Sequence, residues 1–388
     1  QPFGEAFLED CQALGLRPAD LYPKATDYVE AMVEFVSRLE EKGLAYQAED
    51  GSVYFSISSF PKYGRLSRID PDSVRPGARV SMDEYAKEDV RDFALWKAAK
   101  PEDEAAGAAW DSPWGRGRPG WHLECSVMSI AELGETLDIH LGGEDLIFPH
   151  HEDEIAQSEG ATGKPFVRYW VHVKHLRLEG QKMSKSIGNT VSVGDLITRG
   201  HEAAAIRHQL LTAQYRKELN FTMEGLEGST RAIQRLVDFE ARLLCNPVRE
   251  DASGTEIPEI ARTGLERFRE AMNDDLNSAE ALAALFVFLN EVNAELDRVG
   301  GPIPPGDREA GAETLESMDQ VLGLLELARL ARAVDDTTED WIEEQIRLRK
   351  EARESRDFAA ADAIRATLAD RGVVLEDSAD GTRWKVMK

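Results

Sequence analysis

The sequence predicts an α/β protein: part of a parallel sheet carrying a strand-containing insertion, then an α-helical bundle, then a small C-terminal α+β unit. Three observations carry this prediction. Strand, helix and strand succeed one another over 137–143, 149–160 and 169–178, as in a parallel α/β sheet. From 195 to about 327 the apolar periodicity is almost wholly helical. From about 335 two charged helices lead into two short extended segments around Asp380-Gly381, a hairpin signal.

Each element has its own warrant. In 27–44, Val29, Met32, Val33, Val36 and Leu39 recur at helical spacing, and Gly43 stands where a C-terminal cap belongs. In 52–57, Val53, Phe55 and Ile57 alternate with polar residues, which predicts a strand before a Pro-, Gly- and Arg-rich stretch up to about 81. Residues 92–97 are apolar again, and 100–120, with Trp110, Trp114 and four glycines, predicts a long irregular loop. The bundle shows stripes such as Ile233, Leu236, Val237, Leu243 and Leu244. Its segment 281–289 is apolar nearly all round, as a central helix would be. GGPIPPG at 300–306 breaks the bundle, and 373–375 pairs with 382–386 in the last unit.

The chain has 388 residues, 46 basic and 72 acidic, for a net charge of −26, with 42% hydrophobic residues. This describes a soluble globular protein of two or three domains. The acidity excludes a general nucleic-acid or membrane binder, so a specific anionic partner needs local basic patches. Cys11, Cys125 and Cys245 are isolated, without a CxxC pair, which excludes a disulfide framework and fits a reducing compartment. No run approaches the roughly 20 apolar residues of a membrane span. The chain opens at Gln1 without a methionine or a signal pattern, and reads as one missing its beginning.

Chemistry concentrates in two places. Gly120-Trp121-His122-Leu123-Glu124-Cys125 and the segment from Asp145 to Glu154 hold thiol, imidazole and carboxylate groups, the ligand types of zinc. His150 and Glu154 are four apart, one turn on the same helix face. On spacing alone two readings stand: metal ligands, or a buried small hydrophobe at Cys125 and a helix-capping His150. The second place is the loop 180–189, where Lys182, Ser184, Lys185 and Ser186 between glycines suit a polyphosphate whose charge grows in a transition state. A solvated loop with incidental lysines is the alternative.

Lys182 to Ser186 spells KMSKS, the signature of class I aminoacyl-tRNA synthetases. With GWHLECSVM (120–128), GGEDLIFPHHEDEIAQS (142–158), MNDDLNSAEA (272–281) and LEDSADGTRWKV (375–386), the chain closely resembles cysteinyl-tRNA synthetases along its whole length. The resemblance implies a Rossmann-like doubly wound parallel sheet and activation of L-cysteine by ATP, with Mg²⁺, to cysteinyl-adenylate. Transfer to tRNA(Cys) follows, by a cytoplasmic monomer with no membrane partner. It places Cys125, His150 and Glu154 on three of the family's four Zn²⁺ ligands. A soft substrate thiolate that binds the metal would be selected over serine without editing. It places Trp121, His122 and Asp145 in the amino-acid pocket, Lys182 and Lys185 in catalysis, and these lysines with Ser184 at ATP.

The resemblance also implies a catalytic domain at 1–200 with an insertion at about 48–118, a helical bundle contacting the tRNA stem at 201–334, and an anticodon-binding unit at 335–388. In the last, Arg347, Arg349, Lys350, Arg353 and Arg356 form a basic stripe, which phosphate contact requires. Arg353, Asp362 and Asp377 match positions that contact anticodon bases, and Phe358 or Trp384 could stack on them. The family's HIGH motif and fourth zinc ligand, a cysteine just before it, have no counterpart here, and Cys11 sits mid-helix as a poor stand-in. The expectation is therefore a synthetase lacking the first half of its sheet, inactive as this chain alone. Two other readings are a cysteine:amino-sugar ligase of mycothiol synthesis and a non-catalytic tRNA-binding paralogue. The long stretch after Ser186 with its basic stripe disfavours the former.

Overall fold

The computed structural model describes residues 2–69, 91–183, 188–332, 336–354, 357–370, 373–378 and 381–386. The chain divides into two compact units. One is built from Pro18–Asn189 and Ala213–Phe221, the other from Gln1–Arg17, Thr190–Thr212 and Thr222–Lys388. The first helix, α1 (Pro2–Ala13), carries Cys11 and belongs to the second of these.

The first unit opens on α2 (Val29–Glu41), which buries Val29, Met32, Phe35, Val36 and Leu39. Just beyond its end Gly43 takes a φ of +69°, the left-handed conformation expected of that position. Strands β1 (Ala45–Gln47), β2 (Val53–Phe55), β3 (Phe93–Ala98) and, after helix α3 (Pro101–Ala105), β4 (Gly117–Pro119) form an antiparallel sheet in that order. The long irregular loop expected over 100–120 is thus corrected. Pro101 starts α3 at a position that needs no amide donor, and β4 pairs Arg118 with Lys97 and Pro119 with Trp96. A Gly-Arg-Pro triplet has no strand propensity of its own, so β3 imposes the pairing.

Next come α4 (Trp121–Leu133), β5 (Leu137–Gly143), α5 (Glu152–Thr162) and β6 (Val167–Val173). β5 and β6 pair in parallel, from Leu137 opposite Val167 to Gly143 opposite Val173, as the strand–helix–strand reading expects. Two boundaries differ from it. The helix expected from 149 is α-helical from Glu152, and Pro149–His151 before it belong to a wider helical turn interrupted at an extended Phe148 (φ −139°, ψ 131°). The strand expected over 169–178 is two strands: β6, and β7 (Leu176–Leu178), which lies between β8 (Gln181–Lys182) and β9 (Leu219–Phe221) in a separate sheet. β9 also interrupts the stretch expected to be helical from 195 onward; pairing of Asn220 with Arg177 holds it. The core joins Met32, Leu39, Phe55, Trp96, Leu123 and Ala156, so α2, the antiparallel sheet, α4 and α5 share one interior.

The second unit contains α6 (Val193–Thr198), α7 (Ala203–Leu211), α8 (Met223–Cys245), α9 (Ile257–Asn273), α10 (Ser278–Val299), α11 (Pro305–Leu322) and α12 (Leu324–Arg332). α8 buries Leu226, Ile233, Leu236, Phe239 and Leu243, whereas Leu244, one position round the helix, is half exposed. α10 buries most of its apolar run, ends at Gly300 in the left-handed conformation, and α11 restarts at Pro305, so GGPIPPG is a break between helices. Buried Asp319 accepts the amides of Leu324, Leu325 and Glu326 and thereby caps α12. The C-terminal part is α13 (Asp336–Glu354), α14 (Phe358–Asp370) and the antiparallel pair β10 (Val373–Ser378) and β11 (Gly381–Val386), as expected. Ile342, Leu368, Val373 and Leu375 make its core.

Candidate metal and amino-acid site

Two glycines shape the ground on which the site is built. A Cβ at Gly120 would stand 1.9 Å from the Ala94 carbonyl oxygen, so only glycine lets α4 start directly against β3. A Cβ at Gly142 would stand 2.5 Å from the His151 ring, so the end of β5 is a flat seat for an imidazole.

Across these elements Cys125 of α4, His150 of the kinked turn and Glu154 of α5 place a sulfur, a nitrogen and an oxygen within 4.8 Å of one another. His150 Nε2 lies 2.7 Å from Glu154 Oε1. A second group, His140, His151 and Glu154, meets the same spacing, and His140 Nε2 lies 3.5 Å from Glu154 Oε2. His151 Nδ1 is also 2.8 Å from His172 Nε2. Glu152, Asp153 and Glu154 are all buried at the start of α5, where the helix dipole favours negative charge.

These three carboxylates are satisfied differently. Glu152 accepts the amides of Gly64 and Ser67 at 2.9 and 2.7 Å. Asp153 accepts the Tyr63 hydroxyl on Oδ1 and lies 3.3 Å from His122 Nε2 through Oδ2. Among the described residues neither buried oxygen of Glu154 has a hydrogen bond of regular geometry, and its polar neighbours are the Cys125 thiol and the His150 and His140 imidazoles. A fully buried carboxylate in that state is costly unless a cation compensates it. Beside it, burial first and then the charges of Glu154 and Glu124 push the Cys125 thiol up to about 12. A divalent cation would reverse both penalties, since it binds the carboxylate and displaces the thiol proton. The donor set of sulfur, imidazole and carboxylate therefore fits a metal with zinc's ligand preferences.

Of the pocket residues expected from the sequence, Trp121 and His122 contact His150 of this group. Trp121 is 57% exposed and stacks on the His150 ring, with centroids 4.3 Å apart and planes at 24°. His122 turns both ring nitrogens to protein partners, Nδ1 lying 2.7 Å from His150 Nδ1. Asp145 is exposed, with a carboxylate oxygen over Gly143 at 2.4 Å from where a Cβ would stand. Lys182 is exposed on β8 and its carbonyl accepts from the Asn189 amide at 3.1 Å, while Ser184 and Lys185 lie outside the described residues.

In the C-terminal part Arg353 and Asp362 are exposed on α13 and α14, and the Asp377 side chain lies outside the described residues. The basic stripe is partly neutralised: Arg347 is paired with Glu344 and Glu351 at 2.6 and 2.5 Å, and Arg349 is buried. Arg356 lies outside the described residues. Tyr63, Asp153, His140, His151 and His172 stand at this group without having been assigned a role from the sequence. The HHEDE run already flagged His151 and Asp153, but nothing local marks Tyr63, which arrives from 90 positions away.

The family profile described as tRNA synthetases class I (C) catalytic domain matches residues 1–231, and the one described as DALR domain matches 267–326. The cysteine–tRNA ligase of Koribacter versatilis is 43% identical over 99% of this chain and 81% of its own length. That of Solibacter usitatus is 46% identical over 99% of this chain and 80% of its own. The chain belongs to the cysteine–tRNA ligase family. It spans about four-fifths of the length of these ligases. Among solved structures, Mycobacterium tuberculosis methionyl-tRNA synthetase in complex with methionyl-adenylate is similar in fold, with a TM-score of 0.55 at 16% identity over 84% of this chain and 77% of that one. The fold is thus that of class I synthetases, a parallel-sheet α/β domain followed by helices. No helix among the described residues is long and apolar enough to cross a bilayer.

Proposed function

We propose that the protein joins L-cysteine to tRNA(Cys) at the expense of ATP, with the substrate held through Zn²⁺ on Cys125, His150 and Glu154. The observation that carries this is Glu154, buried with no hydrogen bond of regular geometry among the described residues, between the Cys125 thiol and two imidazoles. When bound, Zn²⁺ supplies a soft Lewis acid for a thiolate, and selection over serine follows from that preference. The exposed Trp121 ring, stacked on His150, offers an aromatic wall at the mouth of the site, and the exposed Asp145 carboxylate suits an ammonium group. Lys182 and Lys185, with Ser184, would stabilise charge on the ATP phosphates as pyrophosphate leaves.

The same reading assigns the parallel pair β5–β6 to the second half of a doubly wound sheet within a catalytic domain at 1–200, whose insertion is at about 48–118. The helical bundle at 201–334 would contact the tRNA stem and the unit at 335–388 the anticodon, through Arg353, Asp362 and Asp377. A tRNA acceptor is favoured over an amino sugar because relatives named cysteine–tRNA ligase match 99% of this chain, the long stretch after Ser186 included.

The test is calorimetry on protein loaded with one equivalent of zinc. Cysteine should bind and serine should not, and Cys125→Ala or prior chelation should abolish the cysteine heat. Equal binding of serine, or binding that survives chelation, would defeat the reading.

A further inference from the structure

Resting on the assignment of Zn²⁺ to Cys125, His150 and Glu154, we propose that Tyr63, Asp153 and His122 form a hydrogen-bonded relay that sets the tautomer of His150, so that its Nε2 is bare and faces the metal. These three are positioning residues; none need touch substrate. The chain of contacts is continuous. The Tyr63 hydroxyl donates to Asp153 Oδ1, Asp153 Oδ2 lies 3.3 Å from His122 Nε2, His122 Nδ1 lies 2.7 Å from His150 Nδ1, and His150 Nε2 lies 2.7 Å from Glu154 Oε1.

Proton counting leaves two arrangements. Two neutral imidazoles carry one N–H each, and the short contact between the two Nδ1 atoms needs one proton between them. If His122 supplies it, the other proton sits on His150 Nε2, which cannot then be a metal ligand. If His150 supplies it, His150 Nε2 is bare and the His122 proton sits on Nε2, where it needs an acceptor. Asp153 Oδ2 is that acceptor. Tyr63, by donating to Oδ1, holds the carboxylate turned this way. The assignment of Zn²⁺ to His150 and Glu154 requires the second arrangement, because in the first the Nε2 proton lies toward Glu154 Oε1, 2.7 Å away, where the metal would sit. Metal-binding histidines generally take their tautomer from the partner of their other nitrogen, and loss of such a partner typically weakens binding about 10- to 100-fold. Here the partner is another imidazole, and the carboxylate that decides the matter is one residue further on.

The experiment is zinc affinity by chelator competition on the full chain and three variants, with folding checked by circular dichroism. Asp153→Asn keeps its oxygen on the Tyr63 hydroxyl and turns its amide donor toward His122 Nε2, which forces the wrong tautomer. The expected loss is about 10- to 100-fold. Tyr63→Phe alone should cost little. The double variant frees the amide to present its oxygen to His122, so it should bind zinc more tightly than Asp153→Asn. A role limited to charge or packing predicts the opposite, a double variant no better than the single.

Should the variants misfold, ¹⁵N shifts of the histidines in the zinc-loaded unmodified chain decide. A proton on His122 Nε2 supports the relay, and a proton on His122 Nδ1 overturns it. Unchanged affinity in Asp153→Asn also overturns it. Absence of zinc binding in the unmodified chain would instead overturn the metal assignment itself.

Discussion

Glu154 carries opposite signs in the two states of its site. Without a cation it is a buried carboxylate with no hydrogen bond of regular geometry among the described residues, and with one it would be a ligand. Glu154→Gln should therefore raise the stability of chelated protein by about 1–3 kcal/mol while lowering zinc affinity more than about tenfold. Thermal unfolding in the presence and absence of chelator measures both, and a variant less stable than the parent under chelation would refute the first half. His208 makes a separate residue-scale case. It is buried against Phe286, contacts Ser229 Oγ at 2.9 Å, and burial lowers it to about 4. A histidine with a depressed folded value favours the folded state when neutral. Its contribution is complete above the unfolded value of about 6.5 and is lost as pH falls from there toward 4. His208→Gln should flatten the decline in stability over that window by on the order of 2–3 kcal/mol. Urea titrations at pH 7 and 4.5 would show it.

At the scale of elements, the site depends on where α4 and α5 begin. Gly120 lets α4 start in contact with β3, and a methyl group there meets the Ala94 carbonyl at 1.9 Å. Gly120→Ala should cost about 3 kcal/mol or more because backbone, not a flexible side chain, must yield. It should also weaken zinc binding, since α4 carries Cys125. Denaturant midpoints and chelator competition together separate this from a surface effect, which would move neither. Glu152 anchors α5 to the segment at 64–67 through two amides, and Gln can accept only one of them while facing the other with its own N–H. A loss of about 2 kcal/mol is expected for Glu152→Gln, read by the same titration. Elements with their own periodicity, such as α2, α8 and α10, were legible in the sequence because a buried stripe repeats every three to four residues. β4 and β9 were not, because three-residue strands are selected by the partner they pair with.

At the scale of the molecule, a net charge of −26 opposes any polyanion, so tRNA affinity must come from a few local cations. Arg347 is paired within α13, and Arg353 is exposed on the same helix, so Arg353 is the contact to test. Arg353→Ala should reduce the slope of log affinity against log salt by about one unit, measured by filter binding at several salt concentrations. An unchanged slope would remove Arg353 from the interface. By itself the sequence determined the family, through GWHLECSVM, HHEDE and KMSKS in that order, and through the resemblance it implied the grouping of Cys125 with His150 and Glu154. It also determined the long helices, because these features are written in neighbouring residues. Only the tertiary structure decided which carboxylate of Glu152, Asp153 and Glu154 is left without a hydrogen bond of regular geometry among the described residues, and that Tyr63 reaches Asp153. Hydrogen-bond satisfaction depends on which distant chain segments arrive to supply donors, and no local pattern records their arrival.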